Sequence, residues 1–268
     1  MTSRKFTVTT WLIIANVVVF LSGLVLFAIN PQWENYFVLT PASVFQGQYL
    51  WSFLTSMFMH ANFSHIIFNM ISLFYLGRFA EKLVGRKRFF WFYIIAGLFA
   101  GLVFASLAYF FGYGFWESIF GNPAVAGVGA SGAIFGLAGL LTMLVPKSKV
   151  YLIAGPLVAI VVDSISSLVL PASVAGIVSI LLTIYIFVSI FSIFSFNPRT
   201  IRIALPIQMP FWMLPIVAIV PLVIVGIFFP LPIGNMAHFG GLIAGLVYGF
   251  YLRKRYKRKT ALIRRYFS

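Results

Sequence analysis

The sequence contains no cysteine, and only four of its 268 residues are acidic. Without cysteine there is no disulfide staple, no thiolate nucleophile and no Cys-ligated zinc, and the redox compartment is not readable. Charge of either sign is scarce: 9% of residues are charged, where a soluble domain carries roughly 25%. A water-exposed globule is thereby excluded. So is a disordered chain, which is poor in the apolar residues that make up 62% of this one. With a mean hydropathy of +1.03, the composition fits an all-α polytopic membrane protein. The length allows about seven or eight spans of about 20 residues each.

What the chain has in excess is positive charge, nineteen Lys and Arg for a net +15. A nucleic-acid surface would gather these on one folded face among exposed aromatics. Here they fall at Arg4–Lys5, Arg78–Lys82, Arg86–Arg88, Lys147–Lys149, Arg199–Arg202 and Arg253–Arg265. Each group lies beside one of eight apolar stretches, at about 10–29, 64–80, 89–111, 131–145, 150–170, 172–195, 211–229 and 234–252. The charges read as span-ending anchors, and no nucleic-acid partner is expected.

Threading the stretches alternately from a cytoplasmic N-terminus puts every Lys and Arg on or near the cytoplasmic side and leaves Glu34 and Glu117 outside. That is the pattern of the positive-inside rule. The expectation is a multi-pass plasma-membrane protein with both termini cytoplasmic. The first stretch, about 20 residues with no clear small-x-small cleavage site after it, reads as a retained helix rather than a cleaved leader. The tail at 253–268 is basic, and either lies against anionic lipid or serves as a plain topological anchor. The longer outer loops, about 30–60 and 112–130, hold Trp33, Trp51 and Trp116, as suits a membrane interface.

Polar groups inside such a chain are the default functional candidates. The three histidines are His60, His65 and His238. His65 and Asn69 are four apart and share one helix face. His238 opens the last stretch, in Asn235-Met-Ala-His238-Phe-Gly-Gly241-Leu-Ile-Ala-Gly245. The fourth stretch begins Gly127-Val-Gly129-Ala-Ser131-Gly132-Ala-Ile-Phe135-Gly136, and in the threaded topology all of these lie at the outer side. A serine at a helix start has unpaired backbone N–H groups beside it, which favour a developing negative charge. Gly132 and Gly136 are spaced like Gly241 and Gly245, and small residues at this spacing let two helices approach closely in lipid. If those faces meet, Ser131 and His238 come together, a sufficient nucleophile and base. The soluble G-x-S-x-G elbow is rejected, since position 133 is Ala and no strand precedes the turn.

At these residues the sequence resembles the rhomboid family of intramembrane serine proteases. The resemblance rests on Gly129-Ala-Ser131-Gly132, on His60, His65 and Asn69, and on Ala237-His238-Phe-Gly-Gly241 with Gly245. Trp51, Thr55 and Gly77-Arg-Phe-Ala-Glu81-Lys-Leu-Val-Gly85 add to it, and it covers about 40–145 and 230–252. It implies a Ser131–His238 dyad with no acidic third member, and an oxyanion hole from His65, Asn69 and the Ser131 backbone N–H. His60 would support the outer loop, and Phe135 would offer a ring for His238 to stack on. No metal or organic cofactor is implied, and the expected partners are transmembrane protein substrates. The fold implied is a six-helix core, about 10–145 and 211–252, with an additional helix pair within about 150–208, all in one transmembrane domain.

Two departures stand out. The Trp-Arg pair common in the family's first outer loop reads Trp51-Ser52, which puts loop anchoring in question. The family usually places one helix between the Ser and His helices, and this chain has room for three, an odd number that still returns His238 to the outer side. Two rivals from other classes are a catalytically silent relative that binds membrane proteins and a transporter. Asp163 is the one residue that would serve the transporter case, and it reads mainly as a structural group near a helix end. Glu81, between Gly77 and Gly85 and near Lys82 and Arg86, reads as a helix-packing or ion-pair residue. Pro206, Pro210, Pro215 and Pro221 surround the seventh stretch. They suggest that 211–229 and the loop from Pro230 to Asn235 form a mobile gate, or else fixed bends.

Overall fold

The computed structural model describes residues 6–195, 197–228 and 234–267. They are mainly helical, and the chain divides into two compact units, Met1–Lys147 with Gly234–Ser268, and Ser148–Ile233.

In the first unit, helix α1 (Val8–Ile29) starts at Thr7, whose hydroxyl accepts the Thr10 N–H. A long outer segment follows, with short helical turns at Pro31–Tyr36, Pro41–Phe45 and Ser52–Thr55. Next, Phe63–Ser72, a π turn over Leu73–Gly77, and Arg78–Val84 run on without a break, together α2. The chain turns at Gly85 into α3 (Arg86–Phe111). Helix α4 (Ser131–Leu144) follows the second outer loop. The unit is completed by α8 (Asn235–Arg255) and the basic amphipathic α9 (Lys257–Tyr266).

The second unit contains a feature that the apolar pattern did not announce. The stretch expected as one span from 150 to 170 is divided into strand β1 (Lys149–Ile153) and helix α5 (Ala154–Val169). After α6 (Ala172–Phe194), strand β2 (Pro206–Pro210) pairs antiparallel with β1, Lys149 opposite Pro210 and Ile153 opposite Pro206. Val150, Tyr151 and Ile153 are good strand formers, but their partner is more than fifty residues on, beyond the reach of local periodicity. Helix α7 (Leu214–Phe228) then carries Pro221 in its interior. Residues 230–233 of the expected gate loop lie outside the described residues.

Among the described residues three helices are long and apolar enough to cross a membrane, α1, α3 and α6, and three shorter apolar ones accompany them, α4, α5 and α7. Their outward faces are apolar too: Trp11, Val18, Leu21 and Val25 on α1 are all exposed. In water that surface would be untenable, whereas against lipid tails it costs nothing.

The core of the first unit is the α3–α4–α8 trio. A Cβ at Gly241 would run into the Gly132 carbonyl oxygen, and one at Gly245 into that of Gly136. Helices α4 and α8 therefore touch backbone to backbone along the Gly132/Gly136 and Gly241/Gly245 faces. From the third side α3 supplies small residues: a Cβ on Gly132 would lie 2.6 Å from the Ala100 Cβ, and one on Gly136 2.8 Å from that of Ala96. Close approach of this kind gains dispersion contacts that no lipid tail can reproduce at the same distance.

Glu81 fastens the opposite end of the unit. Its carboxylate accepts the Val8 N–H and Thr9 N–H, both at 2.9 Å, and the Thr9 hydroxyl at 2.7 Å. Arg86 Nε stands 3.8 Å away. The side chain is buried and caps the first turn of α1, where unpaired N–H groups and the helix dipole favour an anion. The ion pair expected from sequence is present, and the capping of a helix 72 positions away is the larger part of what Glu81 does.

Candidate active site

Ser131 is the first residue of α4, and its position is set by the turn before it. Gly129 has φ +122°, and its N–H donates to the Ser56 carbonyl at 2.8 Å. Both the conformation and the space call for glycine: a Cβ there would stand 2.9 Å from the His65 ring and 3.5 Å from the Asn69 side-chain nitrogen. The two outer segments hold this turn from outside. Leu39 and Gly127 exchange backbone hydrogen bonds, and the Ala42 N–H donates to the Pro123 carbonyl. Leu39 and Val44 in turn bury against Phe104, Ala105 and Ala108 of α3.

His65 comes from the first turn of α2. Asn62 caps that helix by accepting the His65 N–H at 2.8 Å, and this fixes the angle at which the imidazole leaves the backbone. Asn69 follows one turn later on the same face. Its Nδ2 is buried and has no hydrogen-bond partner. An unpaired buried donor is costly, about 1–3 kcal/mol, and this one lies over the turn that presents Ser131. His60 is also buried; its Nδ1–H points to the Phe58 carbonyl at 3.3 Å and its ring meets His65 edge-on at 5.1 Å. Burial, and secondarily His65, pushes the His60 imidazole down to about 3, so it is neutral at physiological pH.

His238 comes from the first turn of α8. Its Nε2 lies 2.9 Å from the Ser131 hydroxyl. Phe135, one turn below Ser131, stacks on the imidazole with centroids 4.3 Å apart and planes 20° from parallel. The stacking fixes the plane of the ring, and the serine fixes which edge faces it. The Gly241 and Gly245 contacts further down α8 hold the helix close enough for both. Two polar groups at the site had no signal in the sequence reading. Asn235, buried at the start of α8 with its Oδ1 unpartnered, sits one turn before His238. Ser56 supplies the carbonyl that anchors Gly129, and nothing in its local sequence marks it.

The outer loop lacks the arginine of the Trp-Arg pair, and other bonds brace it. Trp51 Nε1–H donates to the Tyr36 carbonyl and the Thr55 hydroxyl to the Phe37 carbonyl, both at 2.8 Å. Asp163 lies in α5 of the second unit, where its carbonyl accepts the Ser166 hydroxyl. Among the described residues no group of three or more His, Cys, Asp or Glu side chains is arranged to hold a metal ion.

A family model of the Rhomboid domain matches residues 47–192 and 151–255 of the chain, most of its length. The chain belongs to the rhomboid family. It is a polytopic helical membrane protein of that family, with His60, His65, Asn69, Ser131, Phe135 and His238 inside the matched ranges. It is 31% identical to Rhomboid protease AarA of Providencia stuartii over 138 residues, 48% of each protein. It is 32% identical to Putative rhomboid protease YdcA of Bacillus subtilis over 98 residues, 35% of this chain and 41% of that one. Rhomboid protein 1, mitochondrial, of Saccharomyces cerevisiae is 31% identical over 107 residues, 39% of this chain and 28% of that one. The rhomboid chain thus spans about half the length, or less, of these curated relatives.

Proposed function

We propose that this rhomboid protein is an intramembrane serine endopeptidase that cleaves transmembrane protein substrates near the outer face of the plasma membrane. The observation that carries the proposal is the 2.9 Å approach of His238 Nε2 to the Ser131 hydroxyl. Ser131 Oγ attacks a peptide carbonyl while its proton passes to His238 Nε2, and the imidazolium then protonates the leaving amine. Water, entering from the outer face, repeats the sequence in reverse and frees the serine. His65, the orphaned Asn69 amide and the Ser131 N–H take the oxyanion; preorganised donors at that point are worth about 3–4 kcal/mol each.

Helix α4 has fourteen residues, about 21 Å against a hydrocarbon core of about 30 Å. A helix that short, with its other end near Lys147 at the cytoplasmic surface, begins below the outer surface, which supports a nucleophile within the membrane. The substrate segment must unwind there, since a helix keeps its carbonyls in i→i−4 bonds, so small or helix-breaking residues are expected at the cut. We place the additional helix pair within about 150–208 of a single transmembrane domain, and the two family matches overlap over 151–192. Both termini are cytoplasmic in this reading.

The test is labelling of the detergent-solubilised protein with a fluorophosphonate, beside Ser131→Ala and His238→Ala, with mass mapping of the adduct. An adduct on Ser131 that is lost in both variants is the expected result. A folded wild-type protein that takes no label from several probes would instead indicate a silent, substrate-binding relative.

A further inference from the structure

At the end of the first unit away from His238, α3 and α8 form an apolar groove of about 820 Å³. Its walls are two stripes, Trp91, Ile95 and Phe99 on α3 and Ile243, Val247 and Tyr251 on α8. Both stripes follow the i, i+4 spacing of one helix face. Trp91, Ile95, Val247 and Tyr251 are more than half exposed. Between the stripes the floor is made of Ala96 and Ala244, with the stacked rings of Phe92 and Tyr248, 4.9 Å apart, beside them, and the two alanines leave room for a chain.

One end of the groove is basic. Lys87 lies one turn before Trp91 on the same stripe, and Arg88 stands beside it. Arg88 is held in place by Tyr256, the residue that follows α8: its Nη2 donates to the Tyr256 hydroxyl at 2.9 Å, and its guanidinium lies 4.8 Å from that ring's centroid. This leaves its remaining N–H groups to a ligand. Among the described residues no acidic side chain lines the groove, so the charge at this end is uncompensated from within.

We infer that this groove is a binding site for one anionic phospholipid, with an acyl chain between the α3 and α8 stripes and the headgroup phosphate on Lys87 and Arg88. The dimensions fit. From Lys87 to Phe99 the stripe runs about 18 Å, close to the half-thickness of about 15 Å that an acyl chain fills. A partner helix about 10 Å across over that length would take up roughly 1,400 Å³ and stand proud of the groove. Its approach would also meet indole and phenol rings rather than the small residues that helix pairs favour in lipid. The phosphate requirement follows from the two cations, the guanidinium offering paired donors and the ammonium a point charge. The site is separate from the basic α9 and does not depend on the Ser131 chemistry.

The test uses full-length protein in vesicles of equal phosphatidylglycerol and phosphatidylcholine, each in turn carrying a photoactivatable diazirine in its acyl chain, with adducts mapped by mass spectrometry. Phosphatidylglycerol adducts are expected to concentrate on 91–99 and 243–251, well above those of phosphatidylcholine. Lys87→Gln with Arg88→Gln should weaken that preference by roughly 30-fold, two headgroup cations at about fivefold each. Ala244→Phe, which fills the groove without touching its charge, should remove the adducts of both lipids from the two stripes. Arg264→Gln with Arg265→Gln in α9 should leave them in place. Equal yields from the two lipids in the wild type, an unchanged preference in the Lys87/Arg88 variant, or loss of the adducts in the α9 variant would each overturn the proposal. So would crosslinks between the stripes of two protein copies in place of lipid.

Discussion

Gly241→Ala adds one methyl group, and its consequence can be worked from the helix contact itself. The new Cβ would collide with the Gly132 carbonyl oxygen, a backbone atom that no rotamer change can move. Helix α8 must therefore back away from α4 by about 1 Å or more to restore van der Waals contact. Overpacking of this kind costs about 1–3 kcal/mol. The more sensitive consequence lies three residues earlier, where His238 Nε2 now stands 2.9 Å from Ser131. A displacement of about 1 Å carries that pair past hydrogen-bonding distance, and misplacement on this scale costs about 100-fold in rate. The assay is the second-order rate of fluorophosphonate labelling at Ser131, read beside thermal unfolding in the same detergent. Gly176→Ala in α6 is the matched control, because its Cβ meets nothing within 4 Å and the exchange favours a helix by about 0.5–1 kcal/mol. Wild-type labelling and stability in Gly241→Ala would refute the backbone-to-backbone contact and the positioning argument built on it.

Three further outcomes are expected. Glu81→Ala leaves three donors at the start of α1 without an acceptor and should cost about 2–4 kcal/mol in detergent unfolding, with Glu81→Gln in between; unaltered stability in Glu81→Ala would show that water replaces the carboxylate. Asn69→Ala removes a buried amide whose nitrogen has no partner, so unfolding should change by less than about 1 kcal/mol while peptide hydrolysis falls about 100- to 1,000-fold. A parallel fall in both would assign Asn69 to helix packing. His60 is held down to about 3 from its ordinary 6.5, so the unfolded chain binds the extra proton between those values and stability declines as pH falls from 6.5 toward 3. Equilibrium unfolding of His60→Phe should show a shallower decline over that window, and an identical slope would place the acid sensitivity elsewhere.

Composition and charge placement were enough to read a helical membrane protein, because lipid leaves few other solutions for a chain with 62% apolar residues. The glycine pairs at 132/136 and 241/245 were legible as a close helix contact for the same reason: four-residue spacing puts both on one face, and a missing side chain has one evident use in lipid. The β1–β2 ribbon was not legible, since Lys149–Ile153 finds its partner only at Pro206–Pro210 and the apolar run at 150–170 reads the same as a buried helix.

The sequence by itself determined the class of protein, the family resemblance and the set of polar residues worth attention, since each depends on residue type and spacing along one strand of chain. Only the tertiary structure decided what those residues face. Ser131 and His238 are 107 positions apart and meet because α4 and α8 have no side chains to hold them apart. Glu81 reaches the start of α1 through a fold that returns the second helix to the first. The groove between α3 and α8 is floored jointly by Ala96 and Phe92 of one helix and Ala244 and Tyr248 of the other. Local propensity carries no information about distance between residues far apart in the chain, and each of these features is a distance of that kind.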